Sequence, residues 1–137
     1  MTIGEVSERT GLSAHTLRFY EQQGLLVEPV RRDSAGRRTF SEQEVGWLKV
    51  CVRLRDSDMP LPDIRRYAEQ VRRGEETVAE RLEILREHQI RVRRRMAELQ
   101  HSLDAIDAKV GLYEDRLKAG SADKLWRDGP ECVPVSD

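Results

Sequence analysis

The sequence predicts a mainly α-helical chain, in which short helices and one small hairpin precede a single long helix that pairs as a coiled coil. Three observations predict it: Ser or Thr with Glu three positions later at helix starts, glycines at helix stops, and a 3.5-residue apolar repeat near the carboxy terminus. Composition agrees. Of 137 residues only 38% are hydrophobic and 36% are charged, a poor supply for a deep monomeric core. A small core plus a solvated helix that buries its apolar stripe against a second copy fits better, so a homodimer is expected.

Thr2 with Glu5 opens a first helix carrying Ile3 and Val6, and Gly11 ends it by taking the left-handed conformation. Ser13 caps a second helix, carrying Leu17 and Tyr20, that runs to Gly24. Two short helices joined by a tight, glycine-containing turn have the pattern of a helix-turn-helix. Leu25 to Val27, Pro29 and then Arg31 to Phe40, with Asp33-Ser34-Ala35-Gly36 in the middle, predict a two-stranded hairpin. Ser41 with Glu44 opens a third helix holding Val45, Leu48 and Val52, and Asp56 to Pro60 breaks it. Pro62 suits the first turn of a fourth, whose Ile64, Tyr67, Ala68 and Val71 share a face before Arg72, Arg73 and Gly74 close it.

Thr77 with Glu80 opens the long helix. Its apolar positions step alternately by four and three: Val78, Leu82, Leu85, Gln89, Val92, Met96, Leu99, Leu103, Ile106, Val110, Tyr113 and Leu117. Only Gln89 is polar, and at 1.5 Å per residue the repeat spans about 60 Å. The flanking e positions are basic early (Arg86, Arg93) and acidic late (Asp107, Glu114). In an antiparallel pair with its dyad at Gln100 these match, Arg93 with Asp107 and Arg86 with Glu114, and Gln89 falls opposite Tyr113. The mostly basic g positions (Arg81, His88, Arg95, Lys109, Arg116) do not add to that match.

No run of 18 apolar residues exists and the residues after Met1 lack a signal-peptide stretch, so the expectation is a cytoplasmic chain without a membrane partner. Cys51 and Cys132 lie far apart with no Cys-x-x-Cys pairing, which favours two reduced thiols over a disulfide framework or a zinc site. The net charge of −1 conceals a gradient: residues 1–74 carry 13 Lys and Arg against 11 Asp and Glu, residues 75–118 carry 9 against 10, and residues 119–137 carry 2 against 4. Arg31, Arg32, Arg37 and Arg38 crowd eight positions, and 20 of the 24 basic residues are Arg, whose planar fork suits phosphates and base edges.

Thr16-Leu17-Arg18-Phe19-Tyr20-Glu21, Gly24-Leu25-Leu26, Pro29-Val30-Arg31, Gly36-Arg37-Arg38-Thr39-Phe40 and Met59-Pro60-Leu61, in that order, resemble the MerR family of bacterial transcription regulators. The resemblance covers residues 1 to about 118. It implies a winged helix-turn-helix head at 1–74, a dimerisation helix at 75–118 that forms an antiparallel coiled coil, and a short effector or tail segment at 119–137. It further implies binding to a pseudo-palindromic operator in double-stranded promoter DNA, distortion of that duplex, and RNA polymerase as a partner at the promoter. Two departures stand out. The family's wing usually reads Gly-Tyr-Arg-x-Tyr, and here Arg37 and Phe40 replace the tyrosines. Metal-sensing members place a Cys where this chain has Glu75, Glu76 and Thr77, so no metal and no cofactor are expected.

The expected DNA-binding residues are Ser13, His15, Thr16, Arg18, Phe19 and Tyr20 on the second helix and Arg31, Arg37 and Arg38 on the wing. Arg18 suits a phosphate or a guanine edge, against an ion pair with Glu21 or Glu5. Ser13 serves equally as a cap, His15 as a solvated side chain, Tyr20 as core packing on Leu17 and Leu26, and the wing arginines as a solvated cluster. Expected dimerisation residues are Leu85, Gln89, Val92, Met96, Leu99, Leu103, Ile106, Val110 and Tyr113. Cys51 has two readings: a small buried hydrophobe, or a sensor of thiol or aldehyde stress whose pKa Lys49, Arg53 and Arg55 would lower. Trp47, Leu48 and Tyr67 fit a core between elements, and Trp126 fits packing on a partner or the cover of a small-molecule site.

A coiled-coil adaptor with a protein-binding head is the competing function, but it has no need of basic residues on two adjoining elements. No catalytic Ser-His-Asp, paired-acid or phosphate-loop arrangement is present, which argues against an enzyme. Activation, repression and the identity of any effector have no signature in these residues.

Overall fold

A computed structural model describes residues 1–120 and 125–127. The element order is α1 (Ile3–Thr10), α2 (Ala14–Gln22), β1 (Arg31–Arg32), β2 (Arg38–Thr39), α3 (Glu42–Asp56), α4 (Leu61–Arg73), a 3-10 turn (Glu75–Thr77), α5 (Val78–Ala119) and a second 3-10 turn (Leu125–Arg127). The chain is thus mainly helical, with a two-stranded wing and a long carboxy-terminal helix. Among the described residues no helix is long and apolar enough to cross a membrane. Contacts group the chain into two units, Met1–Gln89 and Ile90–Asp137.

In the first unit the caps form where the sequence places them. Thr2, Ser13 and Ser41 each accept from the amide three residues on, those of Glu5, Thr16 and Glu44. Gly11 ends α1 at φ 77°, and its amide donates to Ser7 O, a turn that L-residues rarely adopt. Val6, Leu17, Tyr20, Leu25, Leu26, Phe40, Val45, Trp47, Leu48, Cys51, Met59, Ile64, Ala68 and Ile84 make one buried cluster. Trp47 and Tyr67 stack at 5.6 Å and 12°, joining α3 to α4. Arg9 ties α1 to α3 through a two-pronged contact with Glu42, at 2.7 and 2.9 Å.

One predicted cap forms differently. Thr77 is buried and its hydroxyl donates backwards, to Gln70 O at 2.6 Å and Gly74 O at 2.8 Å. The chain is already coiled at Glu75–Thr77, so the first turn of α5 continues a helix and Thr77 is released to brace the α4–α5 joint. Gly74 makes that joint possible: φ 104° and ψ −167° lie in a region that is essentially glycine's alone.

The start of α5 also has an inward face. Ile84 and His88 are buried, and the His88 Nε2 lies 2.8 Å from Ser57 Oγ at the end of α3. These two positions stand off the apolar repeat, so α5 offers the head one stripe and keeps the repeat on another.

In the second unit α5 runs on to Ala119 with its apolar repeat in solvent. Met96 is 64% exposed, Leu99 53% and Leu117 78%, while Leu103, Ile106, Val110 and Tyr113 are likewise exposed. Gln100 donates to Asp104 at 2.8 Å, and Lys109 Nζ donates to Trp126 O at 2.9 Å. The Trp126 ring is exposed. Cys132 and most of the segment 119–137 lie outside the described residues.

Candidate nucleic-acid interface

Helix α2 divides its side chains by helical spacing. Leu17 and Tyr20, three apart, point into the core, whereas His15, Arg18, Phe19 and Gln22 occupy the exposed stripe. Ser13 and Thr16 face each other at the amino-terminal end, with Ser13 Oγ donating to Thr16 Oγ1 at 2.9 Å and accepting from its amide at 3.0 Å. Tyr20 takes the core-packing alternative. Burial raises its phenol pKa, so it remains a neutral group beneath the helix. Phe19 is exposed beside it, an apolar ring on the outward stripe suited to a thymine methyl.

Arg18 is exposed and has no hydrogen-bond or ion-pair partner among the described residues. Glu21, one of the two acids that the competing ion-pair reading offered it, instead receives Arg38 of the wing at 2.6 Å. One contact therefore does two things: it ties α2 to β2 and leaves the Arg18 guanidinium open.

The wing is a short antiparallel ladder, Arg31 against Thr39 and Arg32 against Arg38. Its tip is organised by Asp33, whose carboxylate accepts from the Ala35 and Arg37 amides, both at 2.9 Å, and from Arg37 Nε at 3.2 Å. The Arg37 amide is the main reason that the Asp33 carboxyl lies below the ordinary range. Arg31 and Arg37 remain exposed. Asp33 was visible in the sequence only as a turn residue; its role in aiming Arg37 depends on the turn's three-dimensional closure.

Beneath the wing sits a buried acid. Glu44 is 2% exposed, and its Oε1 has no hydrogen-bond partner. Burial, reinforced by the neighbouring charges of Glu28 and Glu21, raises its pKa from 4.5 to about 7; the Glu28 amide and Arg31 pull the other way.

The segment after α2 is held by contacts from distant parts of the chain. Four consecutive carbonyls are each taken by a side chain from α3 or α4: Gln23 O by Arg65 Nε (2.7 Å), Gly24 O by Arg72 Nη1 (3.1 Å), Leu25 O by Trp47 Nε1 (2.7 Å) and Leu26 O by Arg72 Nη1 (2.6 Å). Contacts across 22 to 48 residues leave no local spacing signal.

Cys51 is fully buried among apolar neighbours. The basic residues that the sensor reading enlists do not decide its state, since burial pushes the thiol up from 9.0 to about 12. That is the direction of an inert core thiol. No group of three or more His, Cys, Asp or Glu among the described residues is placed to hold a metal ion. The expected dimerisation residues all lie along α5, with Leu85 and Gln89 exposed and Val92 half-buried. Ala105, Ile106, Lys109, Val110, Tyr113, Glu114 and Leu117 line a shallow, nearly apolar groove there.

Residues 1–71 match the family of MerR helix-turn-helix regulatory proteins, and residues 45–109 match a MerR DNA-binding family. An uncharacterised helix-turn-helix transcriptional regulator of Haemophilus influenzae is 37% identical over 120 residues, covering 88% of each chain. Among solved structures, HiNmlR, a MerR family regulator lacking the sensor domain and bound to promoter DNA, superposes with a TM-score of 0.75 at 35% identity, over 91% of this chain and 94% of its own. A MerR family regulator of Listeria monocytogenes superposes with a TM-score of 0.81 at 31% identity, over 88% of this chain and 90% of its own.

Proposed function

The chain belongs to the MerR family and is a transcriptional regulator rather than an enzyme, and on that premise we propose that it binds double-stranded promoter DNA as a homodimer. Residues 1–74 form the reading head, 75–118 the dimerisation helix, and 119–137 a short tail. The observation that carries the reading is Arg18, an exposed and unpartnered guanidinium midway along α2, flanked on the same stripe by His15 and Phe19. In this reading Ser13, His15, Thr16, Arg18 and Phe19 address base edges and nearby phosphates, Tyr20 supports them from beneath, and Arg31, Arg37 and Arg38 engage the backbone.

The exposed repeat from Leu85 to Tyr113 supports pairing with a second copy, because burying each large apolar side chain contributes about 1.5 to 3 kcal/mol. Antiparallel order follows from the e-position charges. A two-fold dimer matches a pseudo-palindromic operator, and bending that duplex alters the promoter presented to RNA polymerase. A small molecule or thiol or aldehyde stress would fit the family-level reading, but the buried Cys51, its thiol pushed up by burial, lends the cysteine route no support.

The test is a gel shift on a duplex that the wild-type chain selects from a random-sequence pool. Arg18→Ala is expected to lose about 1 to 3 kcal/mol of specific affinity with unchanged helicity and sedimentation. A wild-type chain that ignores duplex DNA even at low ionic strength removes the proposal.

A further inference from the structure

We propose that Arg65 and Arg72 of α4 are positioning residues for DNA readout, acting on the segment that joins the recognition helix to the wing. Helix α2 ends in a closed cap: the Leu25 amide donates to Tyr20 O and the Gly24 amide to Glu21 O, with Gly24 at φ 71°. That cap satisfies the amides and turns the following carbonyls away from the helix. An unheld peptide at this point would find water and keep the helix; Leu25 and Leu26 anchor the chain in the core and Trp47 holds Leu25 O, but the carbonyls on either side of that bond would be free to turn.

The two guanidiniums remove that freedom. Arg65 grips Gln23 twice, Nε on the main-chain carbonyl and Nη2 on Oε1, both at 2.7 Å. Arg72 Nη1 bridges Gly24 O and Leu26 O, the two carbonyls that flank Leu25. Cations at a helix carboxy terminus face the negative end of its dipole, and hydrogen bonds from a charged donor are stronger than neutral ones. Arg72 is exposed and Arg65 half-buried, whereas the core beneath α2 is made by Leu17, Tyr20, Leu25 and Leu26. Folding therefore rests on the apolar residues and aim rests on the arginines. Reading base edges demands placement within roughly 0.5 Å, a tolerance that phosphate contact alone does not impose.

This inference rests on the DNA-binding reading above. Fluorescence anisotropy on the selected duplex and on poly(dI-dC) compares the full chain with Arg65→Gln, Arg72→Gln and Arg72→Lys. Each Gln variant is expected to lose about tenfold or more on the selected duplex while staying within about twofold on poly(dI-dC) with an unchanged salt slope, and Arg72→Lys is expected to fall between. Undiminished selectivity in the Gln variants overturns the clamp. So does an equal loss on both duplexes with the salt slope reduced by about one, the signature of a phosphate contact. Should Arg72→Gln lose its cooperative melting, Arg72→Lys is decisive: a loss confined to the selected duplex supports the clamp, and wild-type binding to both refutes it. A wild-type chain that selects no sequence brings down both readings, whereas a selective wild type with unaffected variants brings down the clamp alone.

Discussion

The unit Met1–Gln89 and the unit Ile90–Asp137 handle their apolar residues in opposite ways. In the first, Val6, Leu17, Leu25, Leu48 and Ile64 are buried within one chain, by helices short enough to cross and cover one another. In the second, Met96, Leu99, Leu103, Ile106 and Val110 share one helical face and stand in solvent. Hydrophobic pattern alone is thus compatible with both a finished core and an unfinished one. What separates them is chain topology: turns at Gly11, Gly24 and Asp58 bring helices back onto each other, while α5 runs 42 residues without a turn.

The largest effect is expected at Leu99. If the repeat is completed by a second copy, Leu99→Asp places a charge in the seam twice per dimer and removes about 3 to 6 kcal/mol of burial. Sedimentation velocity should show monomers at micromolar concentration, with the head's melting transition intact. A Leu99→Asp chain that sediments as wild type would mean that the exposed stripe is not the seam. Leu48→Ala acts on the other side of the comparison. Leu48 is fully buried, so its truncation should cost about 2 to 5 kcal/mol in denaturant unfolding of the head. Mass action alone should account for any change in dimer content.

Much of this division was legible in the residues. The caps at Thr2, Ser13 and Ser41 and the left-handed Gly11 are local devices: Thr2 and Ser41 carry a Glu three positions on, Ser13 is a capping residue just after the Gly11 turn, and a lone glycine marks the stop of α1. The long helix was legible because a repeat over many turns averages out local accidents. What escaped was non-local. Thr77 carries the spacing of a cap, yet its hydroxyl turns back to Gln70 because α4 happens to end beside it. Glu21 and Arg38 are 17 residues apart, and Arg72 reaches a carbonyl 48 residues away; such pairs leave no periodicity. Ile84 and His88 were hidden for another reason. They sit on a second stripe, off the dominant repeat that defines the helix's apolar pattern in the sequence.

Glu44 supplies a smaller, pH-dependent effect confined to the head. Its carboxyl keeps a proton up to about pH 7 in the folded chain but releases it near 4.5 when exposed, so folding takes up a proton between those values. Its contribution to stability is therefore greatest below pH 4.5 and is lost as pH rises through about 7. Glu44→Gln keeps the shape and removes the titration. Its melting temperature should exceed that of wild type above pH 7, and the difference should shrink as pH falls toward 4.5. A constant difference across that range would show that the carboxyl is ionised throughout.

The smallest expected effect tests whether the two units are independent. Cys51 is buried in the head, with its thiol pushed up to about 12, so alkylation in a Cys132→Ala background must wait for the head to open. Removing its sulfur in Cys51→Ala should cost only about 1 kcal/mol, since a small, unpaired group is lost from the core. The more informative measurement is the iodoacetamide rate of the intact thiol in the Leu99→Asp chain. If the head's core is complete without the second copy, that rate should equal the rate in the paired chain, because separating two rods uncovers nothing around Cys51. A rate that rises with dissociation would show that pairing along α5 also stabilises the head. The contact responsible would then be sought at Ile84 and His88, where the same helix turns its other stripe toward α3 and α4.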